Sequence, residues 1–282
     1  MRDYYLGRVL DDVLAGGGFR QVGCIHEMHA YSRIVWSAAA RSGASRHTVQ
    51  HASITSGKRW YFPDAIERDA GLEMPDTMHV FSERVADMLA RHLPETRFIL
   101  GCSARYARWR DAKPFESGGR VCLVVGALAR FDNDVVFSAA RRLLDQDATL
   151  PVRLRLHPHA NASSTDRAWL RRSERGGRLE VSEGIELEAD IEDAAVVLGM
   201  GTTVLEEALV LGRPVVQLTH PEFVRYVELD DVGGVTIVPA NSLCVEDVKR
   251  ALQEHVDIGE VRDRLGLDHP VVTYEQLFSS KS

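Results

Sequence analysis

The sequence predicts an α/β protein of two Rossmann-like domains, each built on a parallel sheet and the first of them short. Three observations carry this. Short apolar runs alternate with amphipathic stretches along almost the whole chain, which is the pattern of βαβ units. The length of 282 residues suits two domains of roughly 150 residues each. The alternation also breaks only once, over residues 101–120, and then restarts with a fully apolar strand. The break sets an N-terminal domain at 1–110 and a C-terminal domain at 111–282.

In the first domain, Gln21–Ile25 reads as a strand and Tyr31–Arg41 as a helix. Arg46–Gln50 is a second strand, opening into a loop with Ser, Gly and Pro that runs to Pro75. Met78–Phe81 is a third strand, Ser82–His92 a helix with serine at its N-cap, and Arg97–Leu100 a fourth strand. Four strands are few for a doubly wound domain. The interruption that follows carries Arg105, Tyr106, Arg108, Trp109, Arg110 and Lys113 ahead of Pro114 and Gly118-Gly119. It reads as a solvated interdomain hinge; the same composition would suit anionic headgroups or a polyanionic acceptor.

The second domain is more complete. Val121–Val125 is a buried strand ending at Gly126, and Asp134–Leu144 a helix. Val152–Leu156, Leu179–Val181, Ala194–Leu198, Pro214–Leu218 and Val235–Val238 read as further strands. Asp166–Arg172, Thr202–Leu211 and Val245–His255 read as helices between or after them. Seven acidic residues between Glu180 and Asp193 read as a solvated surface.

Composition narrows the function classes. A net charge of −7 argues against a general nucleic-acid binder, which would show a basic excess. The four cysteines form no C-x-x-C pair, so neither a zinc site nor a disulfide framework follows and a reducing compartment is expected. The charged N-terminus lacks the apolar core of a signal peptide, and no apolar run is long enough to cross a bilayer. A cytoplasmic protein is the expectation.

The most specific segment runs from Ala194 to Leu218. A buried strand enters Gly199-Met200-Gly201, then Thr202-Thr203, then a helix bearing Glu206 and Glu207. Glycines at such a turn let a ligand approach the backbone, and first-turn amides with two hydroxyls suit a phosphate. An ordinary tight turn, with Thr202 as N-cap and the glutamates in solvent, would read the same way. A second feature is Arg153-Leu-Arg-Leu-His157-Pro158-His159, which places two histidines at the carboxyl end of a strand, where α/β domains hold ligands. Ligand contact, structural capping and a metal pair all fit it, although no nearby carboxylate completes a metal site. A third is Cys24-Ile-His26-Glu27 with Arg33 following, joined by Gln50-His51-Ala52 at the next strand's end. Either Glu27 or His51 could act there as general base toward a hydroxyl; a Glu27–Arg33 ion pair and a merely packed histidine are the plainer readings.

In order and spacing these segments resemble glycosyltransferases of the GT-B architecture, in particular bacterial capsule and surface-polysaccharide transferases of the sialyl-, Kdo- and polyglycerol-phosphate groups. His157-Pro158 matches their HP motif, Thr202-Thr203 their paired hydroxyl motif, and Glu206 the acidic residue shortly after it. Glu27…Arg33 and Gln50-His51 match the first domain's motifs, with Ala52 where those enzymes carry glycine. The resemblance covers residues of about 20 to 240. It implies two domains facing a cleft and transfer of a sugar from a nucleotide-activated donor to a glycan or lipid-linked acceptor, at the inner face of the cell membrane. No metal or cofactor is implied. Gly126, His157, Pro158, His159, Gly201, Thr202, Thr203 and Glu206 would hold the donor, and His51 or Glu27 would deprotonate the acceptor. Two other readings stay open: a nucleotide-sugar 2-epimerase of the same architecture, and a non-catalytic nucleotide-binding or assembly module.

Overall fold

The apolar runs fold as the strands of two parallel sheets, one of four strands and one of six. The computed structural model describes residues 2–24, 28–69, 71–102, 104–115, 118–128, 130–157, 163–182, 186–273 and 277. In chain order the first sheet is built from α1 (Arg2–Gly17), β1 (Gln21–Cys24), α2 (Ala30–Ser42), β2 (Ser45–Val49), α3 (Ala65–Asp69), β3 (Thr77–Val80), α4 (Glu83–Ala90) and β4 (Arg97–Leu100). Its strand order is β1-β2-β3-β4. The second is built from β5 (Val121–Val125), α5 (Arg130–Gln146), β6 (Val152–Arg155), α6 (Ser164–Arg175), β7 (Leu179–Val181), α7 (Leu187–Asp193), β8 (Ala194–Gly199), α8 (Val204–Val210), β9 (Val215–Thr219), β10 (Val235–Pro239), α9 (Val245–Ala251) and α10 (Ile258–Arg264). Its order is β10-β9-β8-β5-β6-β7.

The chain divides into two compact units, residues 1–110 with 262–282, and residues 111–261. Each has its own core. Trp36, Tyr61, Met78 and Leu89 fill the first, while Phe137, Leu143, Leu154 and Leu198 lie in the second. The boundary drawn from sequence kept the chain's end with the second domain, whereas residues 262–282 group with the first. The physical reason is a set of backbone bonds. The amide of Cys102 donates to Pro270 O at 2.9 Å, and the amide of Val272 to Cys102 O at 3.0 Å. Leu265 and Leu267 are buried on the way, and Gly266 has φ 64° with room for a Cβ only 2.6 Å from Phe81 O, which demands glycine.

Two surface readings are corrected by this packing. The basic-aromatic segment is not a solvated hinge through Arg110, because Tyr106 and Trp109 are buried in the first unit. Tyr106 meets Phe81 edge-on at 5.6 Å between centroids, and the Arg108 guanidinium lies 4.4 Å from the Trp109 centroid, with Arg108 itself exposed. The rings are core, and the arginines cover them. The acidic run between Glu180 and Asp193 is likewise not wholly solvated. Asp190 is fully buried, accepting from Arg155 at 2.6 Å, from Ser182 at 2.5 Å and from Arg153 at 3.5 Å. Arg153 also donates to Glu180 at 2.9 Å and to Asp193 at 2.8 Å. The polar face of β6 is therefore an ion network.

The first sheet buries two histidines, His47 on β2 and His79 on β3. Neither ring nitrogen of His79 has a hydrogen-bond partner among the described residues. Burial first, then the like charges of His47 and Arg97, holds its pKa below the ordinary 6.5. The unfolded chain therefore takes up the proton more readily. Stability from His79 is fully present above pH 6.5 and is lost as pH falls below it. Urea unfolding at pH 7.5 and 5.5 is expected to show a drop of up to about 1.4 kcal/mol per pH unit below that value from this residue. His79→Leu should reduce the slope, leaving the share of His47, whose pKa burial also lowers; an unchanged slope would clear His79 of the effect.

Candidate functional site

The order of the six-stranded sheet creates a switch point. From β5 the chain moves outward through β6 and β7, then returns to the other side of β5 as β8 and continues outward through β9 and β10. Crossovers on either side of β5 run in opposite directions, so a crevice opens outside the carboxyl ends of β5 and β8. Register brings the candidate residues to that end together. Val125 pairs with Arg155, placing Gly126 beside the end of β6 and His157 two residues beyond it. Val124 pairs with Leu198, placing the Gly199–Thr203 turn on the other side of Gly126.

The two glycine turns are tight for reasons that can be named. A Cβ on Gly126 would lie 2.7 Å from Asn133 Oδ1, and one on Gly199 would lie 2.7 Å from Val125 Cγ2. Asn133 clamps the first turn: the Ala127 amide donates to its Oδ1 at 2.9 Å, and its Nδ2 donates to Ala127 O at 2.8 Å. A Cβ on Gly201 would lie 3.1 Å from Asp132 Oδ2 and 3.3 Å from the Tyr226 ring. Asp132 is 2 % exposed, and burial pushes its carboxyl up to about 6.

Thr202 and Thr203 lie in the turn ahead of α8, not in its first turn as the sequence predicts. Thr202 Oγ1 accepts from the Val204 amide at 3.3 Å, forming a local turn. Thr203 is the residue before α8, with φ −69°, and its side chain makes no capping bond. The helix itself is only seven residues, Val204–Val210, rather than Thr202–Leu211. Its dipole is correspondingly short. Glu206 and Glu207 are 1 % and 3 % exposed, so the solvated-glutamate reading is wrong. His157 is half-buried.

In the first unit, Gln50 fixes the loop that carries His51. Gln50 Oε1 accepts from the Phe81 amide at 3.0 Å, its Nε2 donates to Ala52 O at 3.1 Å, and its own amide donates to His79 O at 2.8 Å. This holds the half-buried His51 just past the carboxyl end of β2. Arg33 donates to Glu67 at 2.5 Å and to Trp60 O at 2.8 Å. Glu27, Pro158 and His159 lie outside the described residues. Among the described residues no group of three His, Cys, Asp or Glu could hold a metal ion, and no helix is long and apolar enough to cross a membrane.

Sequence reasoning missed Asp132, Asn133 and Tyr226. It also missed a stack of three rings, Phe131 on Phe223 at 4.5 Å and Phe223 on His220 at 4.5 Å, beside a pocket of ≈ 360 Å³. The signal for the first two was present in Gly126 followed by Asp132-Asn133, but it was hidden by starting the helix at Asp134 instead of Arg130.

No family model and no curated protein matches the chain. Solved structures do match its fold. The Methanocaldococcus jannaschii UDP-GlcNAc 2-epimerase, in complex with UDP-GlcNAc and UDP, is 11% identical with a TM-score of 0.58, covering 93% of this chain and 78% of its own. The Acinetobacter baumannii MurG is 10% identical with a TM-score of 0.54, covering 97% and 76%. The pneumococcal O-GlcNAc transferase GtfA, in complex with UDP and GlcNAc, is 13% identical with a TM-score of 0.52, covering 92% of this chain and 56% of its own. The fold is thus α/β with two parallel sheets of four and six strands, of the GT-B type.

Proposed function

We propose that the chain is an enzyme acting on a nucleotide-activated sugar, whose diphosphate lies at the switch point of the six-stranded sheet. The observation that carries this reading is the pairing of β5 with β8, which sets the Gly126 and Gly199–Gly201 turns side by side at the carboxyl ends. Packing against Asn133, Val125 and Asp132 requires glycine at both turns, and the switch point they flank is where doubly wound sheets hold nucleotides. In this reading His157 reaches the diphosphate, and the buried Glu206 accepts from hydroxyls of the nucleotide or sugar.

Within that class, epimerisation at C2 of a UDP-linked sugar is the first reading. UDP-GlcNAc 2-epimerases recur among the structures of the same fold, with TM-scores of 0.56–0.58. Glycosyl transfer to a surface glycan is the second, favoured by the likeness to the transferase GtfA and by Gln50-His51 past β2. Incubation with UDP-GlcNAc alone in deuterium oxide, followed by NMR, separates the two. An epimerase exchanges the C2 hydrogen and forms the C2 epimer with no acceptor present. A transferase leaves C2 untouched and releases UDP only when an acceptor is added. Repeating the run with EDTA tests the metal-independence that the sequence implied.

His157→Ala is expected to weaken UDP binding by about 1–3 kcal/mol, tenfold or more in Kd, through loss of a charge-assisted contact. Calorimetric titration reads this directly, and unchanged affinity would remove His157 from the site.

A further inference from the structure

We propose that Asp132 is a binding residue of the donor site, holding the diphosphate through a proton that its carboxyl donates to a phosphate oxygen. This rests on the switch-point reading above and adds to it a residue and a protonation state. The geometry is specific. Asp132 lies in the first turn of the seventeen-residue α5, directly after the β5 turn. It is 2 % exposed, its Oδ1 has no hydrogen-bond partner among the described residues, and its Oδ2 faces Gly201. A buried carboxyl with an unused oxygen costs free energy in the empty protein, and such groups are kept where a ligand completes them.

The surroundings decide which form of the carboxyl can serve. The β8–α8 turn and helix bring Thr202, Thr203 and the buried Glu206 and Glu207, and Tyr226 lies on the other flank of Gly201. Arg225, beside Tyr226, is engaged by Asp230 at 2.8 Å and by Gln217. β6 ends near His157, and Arg130 opens the same helix as Asp132. Burial moves the Asp132 carboxyl upward, and among the described residues no cation pulls it back down. An ionised Asp132 would therefore stand against two phosphates at close range and repel them. A protonated one presents an O–H donor to a phosphate oxygen, and no atom is gained or lost beyond the single proton taken up on binding. With the free carboxyl titrating at about 6, that uptake falls in the neutral range.

The test uses UDP-GlcNAc, whose diphosphate diester carries no group that titrates between about pH 5 and 8. Titration calorimetry of the full chain at pH 5.5, 6.5, 7.5 and 8.0, in two buffers of different ionisation enthalpy, measures Kd and counts protons. The expected result is a nearly constant Kd below pH 6, and above it a rise of about tenfold per pH unit with uptake of close to one proton. Asp132→Asn, whose amide donates at every pH, should bind with a flat Kd near the wild-type value at pH 5.5 and take up no proton. It should also melt at or above the wild-type temperature at pH 8, since a buried charge is gone, and that melting curve certifies its fold. A flat wild-type profile overturns the proposal, while leaving the switch-point reading intact. A pH slope that survives in Asp132→Asn also overturns it, because the proton then sits on another group. No binding at any pH overturns both.

Discussion

Asp190→Ala is expected to destabilise the protein by about 3–5 kcal/mol, because it removes a buried charge from between two guanidiniums. Asp190 is fully buried and accepts from both Arg153 and Arg155. Arg153 keeps Glu180 and Asp193, which limits its share of the loss. Arg155 is the more exposed to it, since its contact with Asp190 at 2.6 Å is the shorter of the two. Taking one partner out of such a network leaves positive charge in a low-dielectric setting, which is costlier than never having built the network. Asp190→Asn preserves the shape and part of the hydrogen bonding, and should lose less. Urea denaturation reads both, and a loss under about 1 kcal/mol for the alanine variant would show that the network behaves as an exposed one. The effect extends toward the candidate site. Arg155 ends β6 two residues before His157, so loosening this strand should also raise the Kd for UDP, even in the fraction that remains folded.

How far such features could be read from the chain alone depends on the kind of signal. Val121–Val125 is legible to the residue and β8 to within one, because runs buried on both faces leave an unbroken apolar mark; β9 and Leu179–Val181, interrupted by Gln217 and by the exposed Glu180, are legible as closely without it. The short helices α7 and α10 were not foreseen, being rich in charge and only seven residues each. The return of 262–282 to the first unit was also invisible, since a backbone bridge such as Cys102–Val271 depends on no side-chain pattern. Burial of acidic residues was the systematic miss. Asp190 sits in a stretch whose charge density reads as surface, whereas Glu206 and Glu207 sit in an apolar one, and in both cases the arrangement in space shows that they face inward. The glycine turns were legible because their spacing carries a steric reason, and Asp132 was not, because its helix was begun four residues late.

Glu27→Gln is expected to lower turnover of UDP-GlcNAc, supplied alone, by about 10²–10⁴ while leaving Kd within a few fold. In the sequence Glu27 follows Cys24, the last residue of β1, by three positions. Epimerisation must break the C2–H bond on one face of the sugar and return a proton to the other, and a carboxylate is a base suited to the first step, whereas the isosteric amide accepts no proton. A base contributes on this scale to kcat and little to ground-state binding, so kcat should fall with Kd unmoved. His51→Ala provides the contrast. Under epimerisation it should change turnover of UDP-GlcNAc alone by only a few fold. Under transfer, loss of the base toward the acceptor hydroxyl should cost about 10²–10⁴ in the acceptor-dependent reaction, with no acceptor-free turnover for Glu27→Gln to lose. Rapid-quench measurement of both variants, with and without acceptor, therefore assigns the reaction class by which residue carries the larger loss. Near-normal turnover in both would remove this pair from the chemistry and leave the buried carboxylates of the second unit as its candidates.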